Sequence, residues 1–130
     1  MGRIYKVSRL YLVDTSIVLW AWHAPERLSR EQRTLLSGEA EFNVSIATIW
    51  EISIKAAIGK LETVANVADA LISTGYLILP IKPGHAEAVR HLPLHHHDPF
   101  DRMLIAQARS EGLTIITADK QFSRYDVELA

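Results

Sequence analysis

The feature that most constrains this chain is a repeated junction, in which a short apolar run passes into an acid and then into a helix-forming stretch. Leu10-Tyr-Leu-Val13 leads straight into Asp14-Thr15-Ser16, and Ile17, Leu19, Trp20 and Ala21 then begin a helix that Pro25 closes. A run that is apolar at every position expects cover on both faces, as in a parallel sheet between helix layers. An acid behind such a strand sits at its carboxyl end, where open α/β sheets place their ligand sites. Asp14 reads equally well as a helix N-cap.

The same grammar continues along the chain. Ser29-Arg-Glu-Gln32 is a capping box that opens a second helix, ended by Gly38, with Arg27, Arg30 and Arg33 on its solvated side. Phe42–Ser45 predicts a strand, and a helix follows from Ile46 to about Ile58, capped by Ser45 or Thr48. Ile46, Trp50, Ile54 and Ile58 recur every four residues, an apolar stripe of the kind that faces a core. Glu51 borders that stripe; it can pair with Lys55 four residues on, or point into a cleft. Asn66–Thr74 predicts a helix closed by Gly75, and Tyr76–Ile81 a strand that Pro80 ends or confines to an edge. Gly84–Leu92 predicts a short helix stopped by Pro93. Leu113–Thr117 is a last strand running on to Asp119; Phe122 and Tyr125 then pack the chain's end, and Val127–Leu129 adds an edge strand.

Between the fourth and last of these units lies His95-His-His-Asp-Pro-Phe-Asp-Arg-Met-Leu-Ile-Ala-Gln-Ala108. Asp98 reads as an N-cap and Pro99 as the first helical residue, where its missing N–H costs nothing. Asp101 falls in the first turn, near the positive end of the helix dipole, and Gly112 is the stop.

Strands alternate with helices throughout, with no repeat, low-complexity tract or linker. The expected fold is α/β, a mostly parallel central sheet flanked by helices, as one domain over residues 1–130 with its core at about 10–126. No apolar run approaches a membrane span, and Met1–Arg9 lacks the apolar centre of a signal peptide. The absence of cysteine removes disulfide and thiolate chemistry and fits a cytoplasmic location. A net charge of −1 excludes a general polycation for nucleic acid. With four carboxylates neutralised by metal, the rest of the surface would carry roughly +3.

Asp14 and Asp119 follow apolar strands, while Glu51 and Asp101 lie early in helices. In right-handed βαβ units, strand carboxyl ends and helix N-termini share one end of the sheet, so these four acids are expected to converge. Unpaired carboxylates in one pocket raise one another's pKa, and a metal ion is the ordinary remedy. An all-oxygen set suits Mg²⁺ or Mn²⁺, which take up substrate phosphates and favour phosphoryl chemistry.

These segments, Asp14-Thr-Ser with Leu19-Trp20, Trp50-Glu-Ile-Ser-Ile-Lys55 with Gly59-Lys-Leu61, Asp98-Pro-Phe-Asp-Arg through Ala108, and Thr117-Ala-Asp119, resemble the PIN domain. The resemblance runs in order from residue 10 to about 126 and is strongest to the branch of VapC-type toxin ribonucleases. It implies an Mg²⁺- or Mn²⁺-dependent endoribonuclease, the toxin of a toxin–antitoxin pair. It also implies an RNA substrate, a small antitoxin inserting into the active-site groove, and a tendency to homodimerise. Carried over, the acidic quartet falls on Asp14, Glu51, Asp101 and Asp119. Asp14 and Asp101 would be the firmest metal ligands, with Glu51 and Asp119 completing the pocket directly or through water. Thr15, Ser16 and Thr117 would orient ligands or the attacking water, and Asp98 would be chiefly the helix cap. Ser16 stands where this branch often carries histidine, so no imidazole is assigned there.

Other readings meet specific obstacles. The run His95–His97 invites zinc, but consecutive side chains diverge, at most two could share an ion, and no cysteine joins them; a loop of exposed imidazoles beside the RNA backbone is the simpler expectation. Trp20, Trp22 and Trp50 could stack on bases, yet their helical positions point to packing. A phospho-acceptor receiver domain would use the same acids, but shows adjacent acids after its first strand. A metal-dependent adhesion module needs Asp-x-Ser-x-Ser, which Asp14–Val18 fails at its last position. A non-catalytic interaction domain would need four acids to be caps and surface pairs by coincidence.

Overall fold

The computed structural model describes residues 10–130; Met1–Arg9, and with them the signal-peptide expectation, lie outside the described residues. Four strands, β1 (Leu10–Val13), β2 (Glu41–Ser45), β3 (Leu77–Leu79) and β4 (Thr114–Ile116), form one sheet in the order β3-β2-β1-β4. All three pairings are parallel. Among the described residues six helices surround it: α1 (Thr15–His23), α2 (Arg30–Leu36), α3 (Ile46–Ala57), α4 (Val67–Thr74), α5 (Pro83–Ala88) and α6 (Pro99–Glu111).

The apolar character of β1 at every position is explained by two cores, one on each side. Leu12 and Ile115 point into a cluster with Leu104, Ile105 and Ala108 of α6 and with Phe122 and Tyr125. Tyr11, Val13 and Ile116 point the other way, among Ile17 and Val18 of α1, Ile52 of α3 and Leu71 of α4. Alternation with period two thus feeds both layers of an α/β sandwich. Among the described residues no helix is long and apolar enough to cross a membrane.

Helix ends follow the local sequence closely. Asp14, Ser29, Ser45 and Asp98 each accept a hydrogen bond from a backbone N–H in the first turn of the following helix. Each such cap contributes about 1 kcal/mol. Gly75 and Gly112 close α4 and α6 in the left-handed region, at φ 106° and 69°, where a side chain would be strained.

Strand order decides where a site can form. The path β1, β2, β3 steps outward in one direction, and β4 then returns to the free side of β1. Connections therefore diverge between the carboxyl ends of β1 and β4, the switch point at which open α/β sheets bind ligands. This order also differs from the 2-1-3-4-5 order of receiver-type doubly wound folds.

Four expectations differ from the structure. The stripe on α3 does not face the core: Ile46, Trp50, Ile54 and Ile58 are 39%, 59%, 40% and 61% exposed. The buried face carries Ala47, Thr48, Glu51 and Ile52, because α3 packs on both core clusters at once through small Ala47 on one side and Ile52 on the other. Two faces with the same four-residue spacing compete in this helix, and packing chooses the narrower one. The strand expected over Tyr76–Ile81 is only Leu77–Leu79 at the sheet edge, and Val127–Leu129 gives a single bridge from Leu129 to Ile115. The helix expected over Gly84–Leu92 is α5 followed by a 3-10 turn over Val89–His91.

Candidate active site

The acids gather at the switch point. Asp14 ends β1, is 4% exposed, and is tied across to β4 by its N–H donating to the Ile116 carbonyl at 3.1 Å. Its Oδ1 accepts from the Ile17 N–H at 2.9 Å, and the Thr117 hydroxyl donates to its Oδ2. Thr117 also accepts from the Asp119 N–H at 3.0 Å, so one hydroxyl links the exits of β1 and β4. Asp119 is exposed and holds the Gln121 N–H at 2.9 Å through Oδ1.

Glu51 arrives from the buried face of α3 at 7% exposure. Lys55 donates to its Oε2 at 2.8 Å, whereas Oε1 is buried and has no hydrogen-bond partner among the described residues. Both readings of Glu51 therefore hold together: it pairs with Lys55 and also turns inward. Asp101 sits in the first turn of α6, its N–H on Asp98 Oδ1 at 2.9 Å. Asp98 itself is exposed and caps the helix.

Electrostatics joins the four. Burial pushes Asp14 up to about 6, against the lowering hydrogen bonds from Thr117 and Ile17 and with the charges of Asp119 and Glu51. Asp101 is pushed up to about 7, first by burial, then by the charges of Asp98, Glu51, Asp14 and Asp119. The predicted quartet thus shares one field. Of the supporting residues, Thr117 is in the pocket. Thr15 is turned away to bond Thr48 at 3.1 Å, tying α1 to α3, and Ser16 is exposed on the first turn of α1.

Among the described residues no three His, Asp or Glu side chains are grouped closely enough to hold a metal ion as they stand. The donor chemistry nevertheless fits a hard divalent cation: four carboxylates, two of them held partly neutral by burial and mutual repulsion, and one buried oxygen left without a donor. Repulsion of this kind is relieved by adding positive charge where the acids meet.

Local sequence signals missed one neighbour. His96 Nε2 stands 3.5 Å from Asp101 Oδ2, and His96 Nδ1 is 2.7 Å from the Tyr125 hydroxyl. The expected loop of exposed imidazoles is confined to His97; His95 and His96 are partly buried against Tyr125. The partner lies 29 residues further on, so nothing local to the histidine run announces it.

The PIN-domain family model matches residues 11–128, a span that includes all four acids. The chain belongs to the PIN-domain family. Solved structures resembling this PIN domain include VapBC2 from Rickettsia felis bound to a promoter DNA fragment, at TM-score 0.71 and 17% identity over 93% of this chain and 97% of that one. FitAcB from Neisseria gonorrhoeae gives 0.66 and 18%, over 92% and 96%. A toxin-antitoxin complex from Klebsiella pneumoniae gives 0.61 and 21%, over 87% and 90%. At these identities the likeness is one of fold. No curated protein is similar enough in sequence to serve as a relative. In this PIN domain the acids come from the exits of β1 and β4, the second turn of α3 and the first turn of α6.

Proposed function

We propose that this PIN domain is a divalent-metal-dependent endoribonuclease of the VapC type, hydrolysing RNA phosphodiester bonds with Mg²⁺ or Mn²⁺ as the toxin of a toxin–antitoxin pair. The observation that carries the reading is the shared field of Asp14, Glu51, Asp101 and Asp119, with Asp14 and Asp101 pushed up to about 6 and 7. Asp14 and Asp119 also cap the turns that follow them, yet among the described residues only Glu51 of the four is paired with a lysine.

In this mechanism Asp14 and Asp101 would hold the cation, and Asp119 and Glu51 would complete its surroundings directly or through water. A bound divalent ion would supply a water of lowered pKa and offset charge on the phosphoryl oxygens. Thr117 keeps the Asp14 carboxylate aimed by donating to Oδ2, and Asp98 holds the first turn of α6 so that Asp101 faces the pocket. Ser16 is exposed in the first turn of α1, two residues after Asp14, and is available to a phosphate or a water.

The antitoxin reading draws support from two directions. The structural neighbours include complexes of toxin with antitoxin. The outward stripe on α3 also leaves Trp50 edge-on against Phe100 at 5.2 Å, beside a cleft of about 270 Å³ lined by Ala47, Ile81, Val89 and Met103. An apolar surface next to an acid pocket suits an amphipathic segment carrying a basic residue. The same stripe is available to a second copy of the chain, as a homodimer requires. The cysteine-free composition fits work in a reducing cytoplasm.

The test is cleavage of a mixed RNA pool by antitoxin-free protein in Mg²⁺ or Mn²⁺, in EDTA, and beside Asp101→Asn. Cutting that needs metal and falls by about 10³-fold or more with the substitution, some 4 kcal/mol of barrier, is the expected result. Cutting that survives both EDTA and Asp101→Asn would remove the proposal. Folded protein that neither cuts nor binds metal would favour a non-catalytic domain.

A further inference from the structure

The acid pocket has a neighbour without a task in the reading above, the imidazole of His96. We propose that His96 is a positioning residue for Asp101, locked in its Nε2–H tautomer by Tyr125 and Arg102, so that it orients the Asp101 carboxylate toward a divalent cation. The cation belongs to the nuclease reading on which this inference rests; the tautomer does not.

Arg102 anchors this arrangement. It follows Asp101 on α6, yet its guanidinium is buried in a collar of carbonyls: Nη1 on Pro93 at 2.8 Å, Nη2 on Val89 at 3.2 Å and Leu92 at 3.4 Å. Nη1 also lies 3.3 Å from the Tyr125 hydroxyl. A guanidinium only donates, so the phenol oxygen accepts here. The His96 backbone N–H donates to the same oxygen at 3.3 Å. Two donors occupy the oxygen, and its own proton is left for His96 Nδ1 at 2.7 Å. An Nδ1–H ring would instead make that oxygen accept three donors, with its own proton unplaced. Accepting at Nδ1, the neutral imidazole carries its proton on Nε2.

That Nε2 is buried and has no hydrogen-bond partner among the described residues. It faces Asp101 Oδ2 at 3.5 Å, a gap that a small turn of the carboxylate closes. A donor on Oδ2 leaves Oδ1 as the oxygen for a cation. The ring is also held mechanically: Tyr125 packs tilted against His96 and edge-on against His95, and Arg124 donates to the His95 carbonyl at 3.0 Å. The chain's last segment thus reaches back and sets a ligand on α6, in the manner of the outer-sphere partners that tune metal sites.

The test uses the full chain. Long-range ¹H–¹⁵N correlation of the histidine side chains without metal should show His96 with its proton on Nε2. Tyr125→Phe keeps the ring and removes the hydroxyl; it should mix the tautomers and weaken Mn²⁺ binding by about 10-fold in calorimetry. His96→Phe should weaken it by at least as much, whereas His96→Gln, which keeps a side-chain N–H, should stay within about 3-fold of wild type. Thermal melts identify which variants retain the fold. An Nδ1–H ring in the wild type, or Mn²⁺ affinity unchanged in both phenylalanine variants, would overturn the proposal. Should wild-type protein bind no Mn²⁺, the nuclease reading fails separately, and the tautomer in wild type and Tyr125→Phe decides the positioning chain by itself.

Discussion

Two polar clusters share helix α6 and are built on opposite rules. At its C-terminal half, Gln107 is fully buried, accepts from the Ser45 hydroxyl at 2.5 Å and donates to the Pro80 carbonyl at 3.2 Å. Nearby, buried His85 accepts from the Lys82 N–H at 3.0 Å and bonds Glu111 at 2.9 Å. Every one of these groups has a partner, and Glu111 is held below the usual carboxylate range by the His85 hydrogen bond and then by the Lys82 charge. At the N-terminal half, burial first and then the charges of neighbouring acids raise Asp101 and Asp14, and Glu51 Oε1 has no partner among the described residues. A satisfied network ties α5, α6 and β2 together; the acid cluster instead leaves like charges facing one another. The first contributes to the fold, and the second takes stability from it.

The largest effect expected from this contrast separates activity from stability. Asp101→Asn should lower RNA cleavage by about 10³-fold or more, while raising metal-free stability at pH 7.5 by on the order of 2 kcal/mol, since a buried repelled charge is removed. Denaturant melts beside the cleavage assay would show it; a destabilised Asp101→Asn would break the contrast. In the other cluster the sign reverses. Gln107→Leu leaves Ser45 and the Pro80 carbonyl without their partner and should cost about 2–3 kcal/mol, with cleavage by the folded fraction unchanged.

The pH dependence follows from the raised carboxyls. Where the folded pKa lies above the unfolded value, the folded state binds more protons between the two, and stability declines as pH rises. The contribution of Asp14 and Asp101 is therefore full near pH 4 and lost as pH passes through about 6 and 7. Metal-free protein should lose on the order of 2 kcal/mol between pH 5 and pH 8, and saturating Mn²⁺ should cancel most of that loss. Flat melting temperatures over this range would contradict the shared field. The smallest effect belongs to the rim: Lys55→Ala removes a half-exposed partner of Glu51 and should change stability by about 0.5 kcal/mol or less.

What the sequence discloses here is what is local. Asp98-Pro99, the Ser29 box and Gly112 announce helix ends because caps are made within three or four residues. Asp14, Asp101 and Asp119 are legible because each lies at a strand or helix end, and parallel topology brings those ends together; Glu51 lies further along α3. The rotation of α3 is not legible: Ile46, Trp50, Ile54 and Ile58 share the four-residue spacing of the true buried face, and the tertiary contacts of Ala47 and Ile52 with the two cores decide between them. Thr48 was read as a cap candidate and instead bonds Thr15, a contact across 33 residues. His96 escaped for the same reason, since its tautomer is set by Tyr125 and Arg102 and not by its neighbours in the run.

Calorimetric titration with Mn²⁺ at pH 6.5, in two buffers of different ionisation heat, tests the central claim most directly. Carboxyls raised to about 6 and 7 must lose their protons to hold the ion, so saturable binding should release about one proton, and Asp101→Asn should abolish both the heat and the release. No saturable binding, or binding that releases no proton and survives Asp101→Asn, would contradict the account of these four acids as a cation site.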